Sequence, residues 1–192
     1  MTSDRRQALY DRYLALPEYQ RGEIIDGTLY VMSRPAPRHA NAATVLSGEL
    51  NGAFQRARGG PGGWWIISEP EIQFVPKEPL SPDIAGWRVD RMPALPNTSH
   101  FELAPDWACE VLSRSTETID RHKKLPIYAR HGIKHVWLVD PIDKLLEVYA
   151  LNENRLWHEV QIIEGDRRVR VAPFDAIELD LSALWSAPTP AR

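Results

Sequence analysis

The chain has 192 residues, 43% of them hydrophobic and 26% charged, which is enough for one sizeable core. Its net charge of -3 argues against a protein that grips nucleic acid through overall positive charge, although a local basic surface or a divalent cation can still serve. The single cysteine, Cys109, leaves no internal disulfide to form and reads as a small buried hydrophobe.

The polar start Met1-Thr2-Ser3-Asp4-Arg5-Arg6 is unlike a secretory signal. No apolar run approaches the roughly eighteen residues that span a bilayer, so the expectation is no membrane and a cytoplasmic protein. From Ser3 to Leu16, Ala8, Leu9, Tyr13 and Leu16 recur at helical spacing, and Pro17 stops the helix. Gly22 to Met32 predicts a β-hairpin, because Asp26-Gly27 between two apolar runs is a strong short hairpin signal. Glu23, on its first arm, reads on spacing alone as a solvated or strand-paired acid.

Pro35-Ala36-Pro37-Arg38-His39 is a stiff turn into a helix expected from about His39 to Arg58, with Ala43, Leu46, Leu50 and Phe54 facing the core. His39 reads as exposed, or as a phosphate contact helped by the free N–H groups of the helix start. The glycine-rich run from Gly59 to Gly63 lacks the Lys-Ser/Thr of a phosphate loop and reads as a mobile connection. Trp64–Ser68 and Glu71–Val75 follow as expected strands, broken at Glu69-Pro70, where Glu69 is given no role. The proline-rich stretch from Arg88 to Pro105 is irregular and could wall a substrate groove.

Chemistry concentrates between Ser81 and Pro141. Asp83 follows Pro82 at the head of one apolar run, and Glu110 lies inside another, Trp107 to Ser113. A strand with almost no polar positions is buried on both faces, so a carboxylate within it needs a cation, a metal or a set of donors. Taken alone, Glu110 also fits a solvent-facing strand end or an internal salt bridge. A cap-rich turn and a helix closed by Gly132 come next, then the apolar strand Lys134 to Asp140 with Pro141 as its stop. Strand, helix and strand in about thirty residues form a right-handed βαβ unit. The helix packs across the Glu110 strand and can return Lys123 or Lys124 toward the carboxylates.

The ordered string Pro82-Asp83, Glu110-Val-Leu-Ser113, Asp120-Arg-x-x-Lys124-x-x-x-Tyr128-Ala-x-x-Gly132 and Val136-Trp-Leu-Val-Asp140-Pro141 resembles the Uma-type family of restriction endonucleases, a branch of the PD-(D/E)XK nuclease superfamily. Glu23-Ile-Ile-Asp26-Gly27 and Met32-Ser33-x-Pro35-x-Pro37-x-His39 resemble that family's opening signature. The likeness spans nearly the whole chain. It departs from the superfamily pattern at Leu112, where lysine is usual, and the resembled branch carries that role onto Lys124. Pro126 implies that the helix either begins near Lys124 or kinks there.

The resemblance implies an α/β fold, a restriction-endonuclease-like mixed central sheet flanked by helices, with peripheral β-hairpins. One domain over residues 1–186 and a flexible tail over 187–192 are expected. It further implies hydrolysis of DNA phosphodiesters with Mg2+, for which Mn2+ can substitute, held by Asp83 and Glu110. Lys124 assists, Glu23 is a supporting acid, and a homodimer suits cutting both strands. The alternatives are a decayed module that binds nucleic acid or protein, and a metal-dependent nucleotide phosphohydrolase. Beyond Pro141, Leu145–Tyr149 pairs with Leu156–Val160 and Ile162-Ile163 with Val169–Val171 as expected hairpins, before a strand or short helix from Ile177 to Trp185.

Overall fold

The computed structural model describes residues 2–32 and 34–187. Ser33 of the opening signature and residues 188–192 of the expected tail lie outside them. Helix α1 (Ser3–Leu14) precedes a hairpin of β1 (Arg21–Ile25) and β2 (Thr28–Met32). Asp26 and Gly27 turn that hairpin at φ 47° and 74°, the double left-handed geometry of a tight two-residue turn. Helix α2 (Pro37–Leu50) runs on into a turn of π-helix, Asn51–Gln55. It starts two residues earlier than the spacing suggests because proline is preorganised for a first helical position.

The central sheet takes β3 (Trp64–Ser68), β4 (Ile84–Arg88), β5 (Trp107–Val111), β6 (His135–Asp140), β7 (Leu145–Leu151) and β8 (Trp157–Glu164) in that spatial order. Only β5 and β6 run parallel, joined by the helical crossover α3 (Glu117–Ile119), a π-turn (Asp120–Lys124) and α4 (Leu125–Arg130). The mixed sheet and the βαβ unit match the expectation. No helix among the described residues is long and apolar enough to cross a membrane.

The two faces of β5 divide the core, since successive side chains point to opposite sides. Trp107, Cys109 and Val111 join Leu46, Phe54 and Phe174 on the α2 face. Phe174 is fully buried and meets the rings of Trp64, Trp107 and Trp137 edge-on at centroid separations of 5.0, 4.9 and 5.6 Å. Such pairs contribute about 0.5–1.5 kcal/mol each beyond the area they bury. Ala108 and Leu112 face the crossover helix with Tyr128, Ile133 and Leu138.

Three expected elements differ. Glu71–Val75 is not a strand: Ile72 alone makes isolated bridges, to Leu80 and Phe101. Pro70 and Pro76 bracket the segment, and its backbone is satisfied by loops, with Gln73 N–H on Phe101 O and Lys77 N–H on the Gln73 side chain. Ile162 and Ile163 stay within β8, while β9 (Arg168–Val169) pairs with β10 (Leu179–Asp180), an arrangement that carries Leu179 and Leu181 into the aromatic core. Helix α5 (Ser182–Trp185) follows, so the last segment holds both a strand and a helix.

The stretch from Arg88 to Pro105 does not wall the cleft described below; none of its residues lines it. It packs elsewhere, with Phe101 stacked on Trp87 at 4.4 Å and the Trp87 indole N–H donating to Leu103 O at 2.8 Å.

Candidate active site

Strands β4 and β5 pair antiparallel with Ile84 opposite Cys109, so one step further brings Asp83 opposite Glu110. The Val111 N–H donates to Asp83 Oδ2 at 2.8 Å and fixes that carboxylate against the end of β5. Glu110 lies on the same face as Leu112, which is packed among Ile25, Tyr128 and Ile133. The position that holds lysine in the superfamily pattern is therefore filled by core, and the cation has to arrive from above.

It arrives on the crossover helix. The wide π-turn ends at Lys124, so the ring of Pro126 falls in the first turn of α4, where its missing N–H costs little. The α-helix thus begins at Leu125, immediately after Lys124, as Pro126 implied. Lys124 is 4% exposed and points into the site, whereas Lys123 is exposed to solvent. Its ammonium lies 3.0 Å from Glu23 Oε1, 3.2 Å from Glu110 Oε2 and 3.4 Å from Asp120 Oδ1. It also donates to Ser81 O at 3.3 Å.

Glu23 reaches this cluster because the β1–β2 hairpin is sewn to the segment leading into β4. Ile24 N–H bonds to Pro79 O, and Ser81 N–H donates to Glu23 Oε1, each at 2.8 Å. Asp120, one turn before Lys124, stands in the family string but was given no role; its i, i+4 spacing to a lysine was the available signal. Tyr128, one turn beyond, donates its hydroxyl to Glu110 Oε1. His39 was expected to be exposed or to contact a phosphate. It is buried at 8% exposure, with Nε2 3.2 Å from Asp83 Oδ2.

Three carboxylates, Glu23, Glu110 and Asp120, thus contact one ammonium, and Asp83 is near enough to add its charge. Burial tends to drive the proton off Lys124, yet the charges of Glu110, Glu23, Asp120 and Asp83 outweigh it and hold the amine well above its ordinary range. Burial also raises Glu110 well above the usual carboxylate range, more than the Lys124 charge lowers it, and it raises Glu23 and Asp120 in the same direction. Asp83 goes the other way. Burial would raise it, but the hydrogen bond and charge of His39, the Lys124 charge and the Val111 N–H together lower it. Two neighbouring carboxyls held in opposite directions divide a site into one constant anion and one proton-sensitive group.

The oxygens left over decide what the site can hold. Lys124 and Tyr128 engage both Glu110 oxygens, and His39 and Val111 share Asp83 Oδ2. Glu23 Oε2 is buried without a partner, and Asp83 Oδ1 takes no hydrogen bond among the described residues. No three His, Cys, Asp or Glu side chains among the described residues form a ready metal shell. The free oxygens sit on Asp83 and Glu23, and Glu110 can join them at a cation by releasing Lys124 or Tyr128; Mg2+ commonly binds through one or two carboxylates and keeps several waters.

The cluster opens into a cleft of about 810 Å3. One lip runs from the end of α1 to the hairpin, through Leu16, Arg21 and Met32, and the other through Ser113 and Thr116. Glu69 borders this cleft and pairs with Arg21.

No curated protein matches the chain. Among solved structures it is similar to a putative nuclease of DUF820 from Anabaena variabilis, with a TM-score of 0.73 and 23% identity over 92% of this chain and 97% of that one. At that identity the likeness establishes the fold. The Uma2 family model, described as "Putative restriction endonuclease", matches residues 10–182, a span that contains every residue of the cluster around Lys124, and the chain belongs to that family.

Proposed function

We propose that this protein is a divalent-metal-dependent endonuclease that hydrolyses DNA phosphodiester bonds. The observation that carries the reading is the meeting of Asp83 and Glu110, opposite one another on adjacent strands, with a buried lysine in contact with Glu110. Asp83 and Glu110 would hold Mg2+ or Mn2+. When bound, such an ion supplies polarisation of a phosphoryl oxygen and a lowered pKa for the attacking water.

The chain's own residues supply the rest. Asp83 stays ionised through its donors, so it presents constant negative charge to a cation. Lys124 keeps its proton, which suits it to offset charge developing on phosphorus and to orient water, and unsuits it to act as a base. Glu23 and Asp120 also hold the ammonium. Tyr128 fixes the outer oxygen of Glu110. Water is the nucleophile, and pairing of two chains would suit cutting of both DNA strands.

A second reading is favoured by one fact: both Glu110 oxygens are already engaged, as in a site that only binds. Plasmid nicking separates the two. The wild type is expected to nick in Mg2+ and not in EDTA, and Asp83→Ala to nick in neither. Equal nicking by both proteins, or none by wild type in Mg2+ or Mn2+, overturns the nuclease reading. Turnover of free nucleotides without DNA cleavage points instead to a phosphohydrolase.

A further inference from the structure

We infer that His39 is a positioning residue for Asp83: it turns that carboxylate so that Oδ1, and not Oδ2, is offered to the divalent cation. The inference rests on the metal reading above and adds a residue to it.

His39 stands in the first turn of α2, and its ring enters the cleft wall beside the head of β4. Nε2 approaches Asp83 Oδ2 at 3.2 Å, while Nδ1 is buried without a hydrogen-bond partner. An orphaned buried nitrogen loses its bond to water without a replacement, so the ring is a poor piece of core filling. Among the described residues, the one polar group that its ring engages is Asp83.

Oδ2 also receives the Val111 N–H at 2.8 Å. Two donors on the same oxygen, one from α2 and one from β5, fix the rotation of the carboxylate about its Cβ–Cγ bond. With Oδ2 saturated, Oδ1 is the oxygen with free lone pairs. Either donor alone would leave the group free to pivot, and Val111 cannot be removed by substitution because its contribution is backbone. His39 is the part of this clamp that mutation can test.

Partners that orient a metal-binding carboxylate or imidazole typically contribute 10–100-fold to affinity, so His39→Leu is expected to weaken Mn2+ binding by about that factor. His39→Gln keeps an N–H donor at nearly the same reach and is expected to recover most of it. Mn2+ binding is read by the loss of the free-ion paramagnetic resonance signal, without DNA and without turnover, and thermal melting of each variant is recorded beside it. A purely structural histidine would shift the melting of His39→Leu and leave Mn2+ affinity unchanged, which overturns the inference. Equal weakening in His39→Leu and His39→Gln also overturns it, since the donor would then not matter. A wild type that binds no Mn2+ overturns the metal reading itself, and this inference with it.

Discussion

The two faces of β5 are equally dry and differ in everything else. On one, the side chains of Trp107, Cys109 and Val111 sink into an aromatic core around Phe174. On the other, Glu110 stands between Ala108 and Leu112 under a helix that brings Lys124, Asp120 and Tyr128 to it. The first face gains stability from area and ring geometry. The second holds charges whose separation from water is costly and whose balance depends on one ammonium. A strand can carry both because its period of two keeps the populations apart.

The comparison breaks most sharply at the carboxylates. Asp83→Ala is expected to lower nicking by on the order of 10³-fold, through loss of metal-assisted stabilisation, with little change in melting. Phe174→Ala should do the reverse: about 3–5 kcal/mol of stability lost in a denaturant titration, and unchanged nicking per folded molecule. A large loss of activity per folded molecule in the second variant would mean that the faces are not separable.

Lys124→Met tests the balance of charge. Without the ammonium, Glu23, Glu110 and Asp120 lose the partner that favours their ionised forms, so their carboxyls rise further above the unfolded values. A group raised in the folded state keeps its stability below the unfolded pKa and loses it as pH rises toward the folded one. The melting temperature of Lys124→Met is therefore expected to fall relative to wild type as pH rises from the acid range to neutrality. The loss near neutral pH should be about 3–5 kcal/mol, and Mn2+ should offset part of it. A constant difference across that pH range would show that the carboxylates are not coupled to the lysine.

Metal affinity itself should depend on pH. Burial holds the Glu110 carboxyl well above its ordinary range, so an ion entering at a pH below the raised value must displace a proton. Mn2+ binding is expected to tighten as pH rises above the ordinary carboxylate range, with up to about one proton released per ion by calorimetry in two buffers.

The smallest effect lies on the same helix but outside the cluster. Arg121 forms a forked pair with Glu147 on β7, and Tyr149 donates to the same carboxylate at 2.6 Å. Glu147→Gln keeps the shape and removes the charge, and should cost about 1–2 kcal/mol of stability with a lesser loss of nicking.

The βαβ frame and the hairpin at Asp26-Gly27 were legible because period, turn chemistry and length agree there, whereas the meeting of Asp83 and Glu110 came with the family resemblance. Lys124 was legible only through family resemblance, since spacing alone left Lys123 equally good; the π-turn that settles their directions has no periodic signature. Asp120 stood in the family string without a role, because nothing in the spacing showed that its carboxylate turns inward to Lys124. The exposed reading of His39 failed because its burial depends on the head of β4, which arrives from a distant part of the chain. Glu71–Val75 alternates like a strand, but two prolines and a neighbouring loop claim its backbone.

The most direct measurement is anomalous diffraction from a crystal soaked in Mn2+. One strong peak between the carboxylates of Asp83 and Glu110, with Lys124 still beside Glu110, is the predicted result. A fully occupied Mn2+ peak elsewhere, with those two carboxylates unliganded, would contradict it.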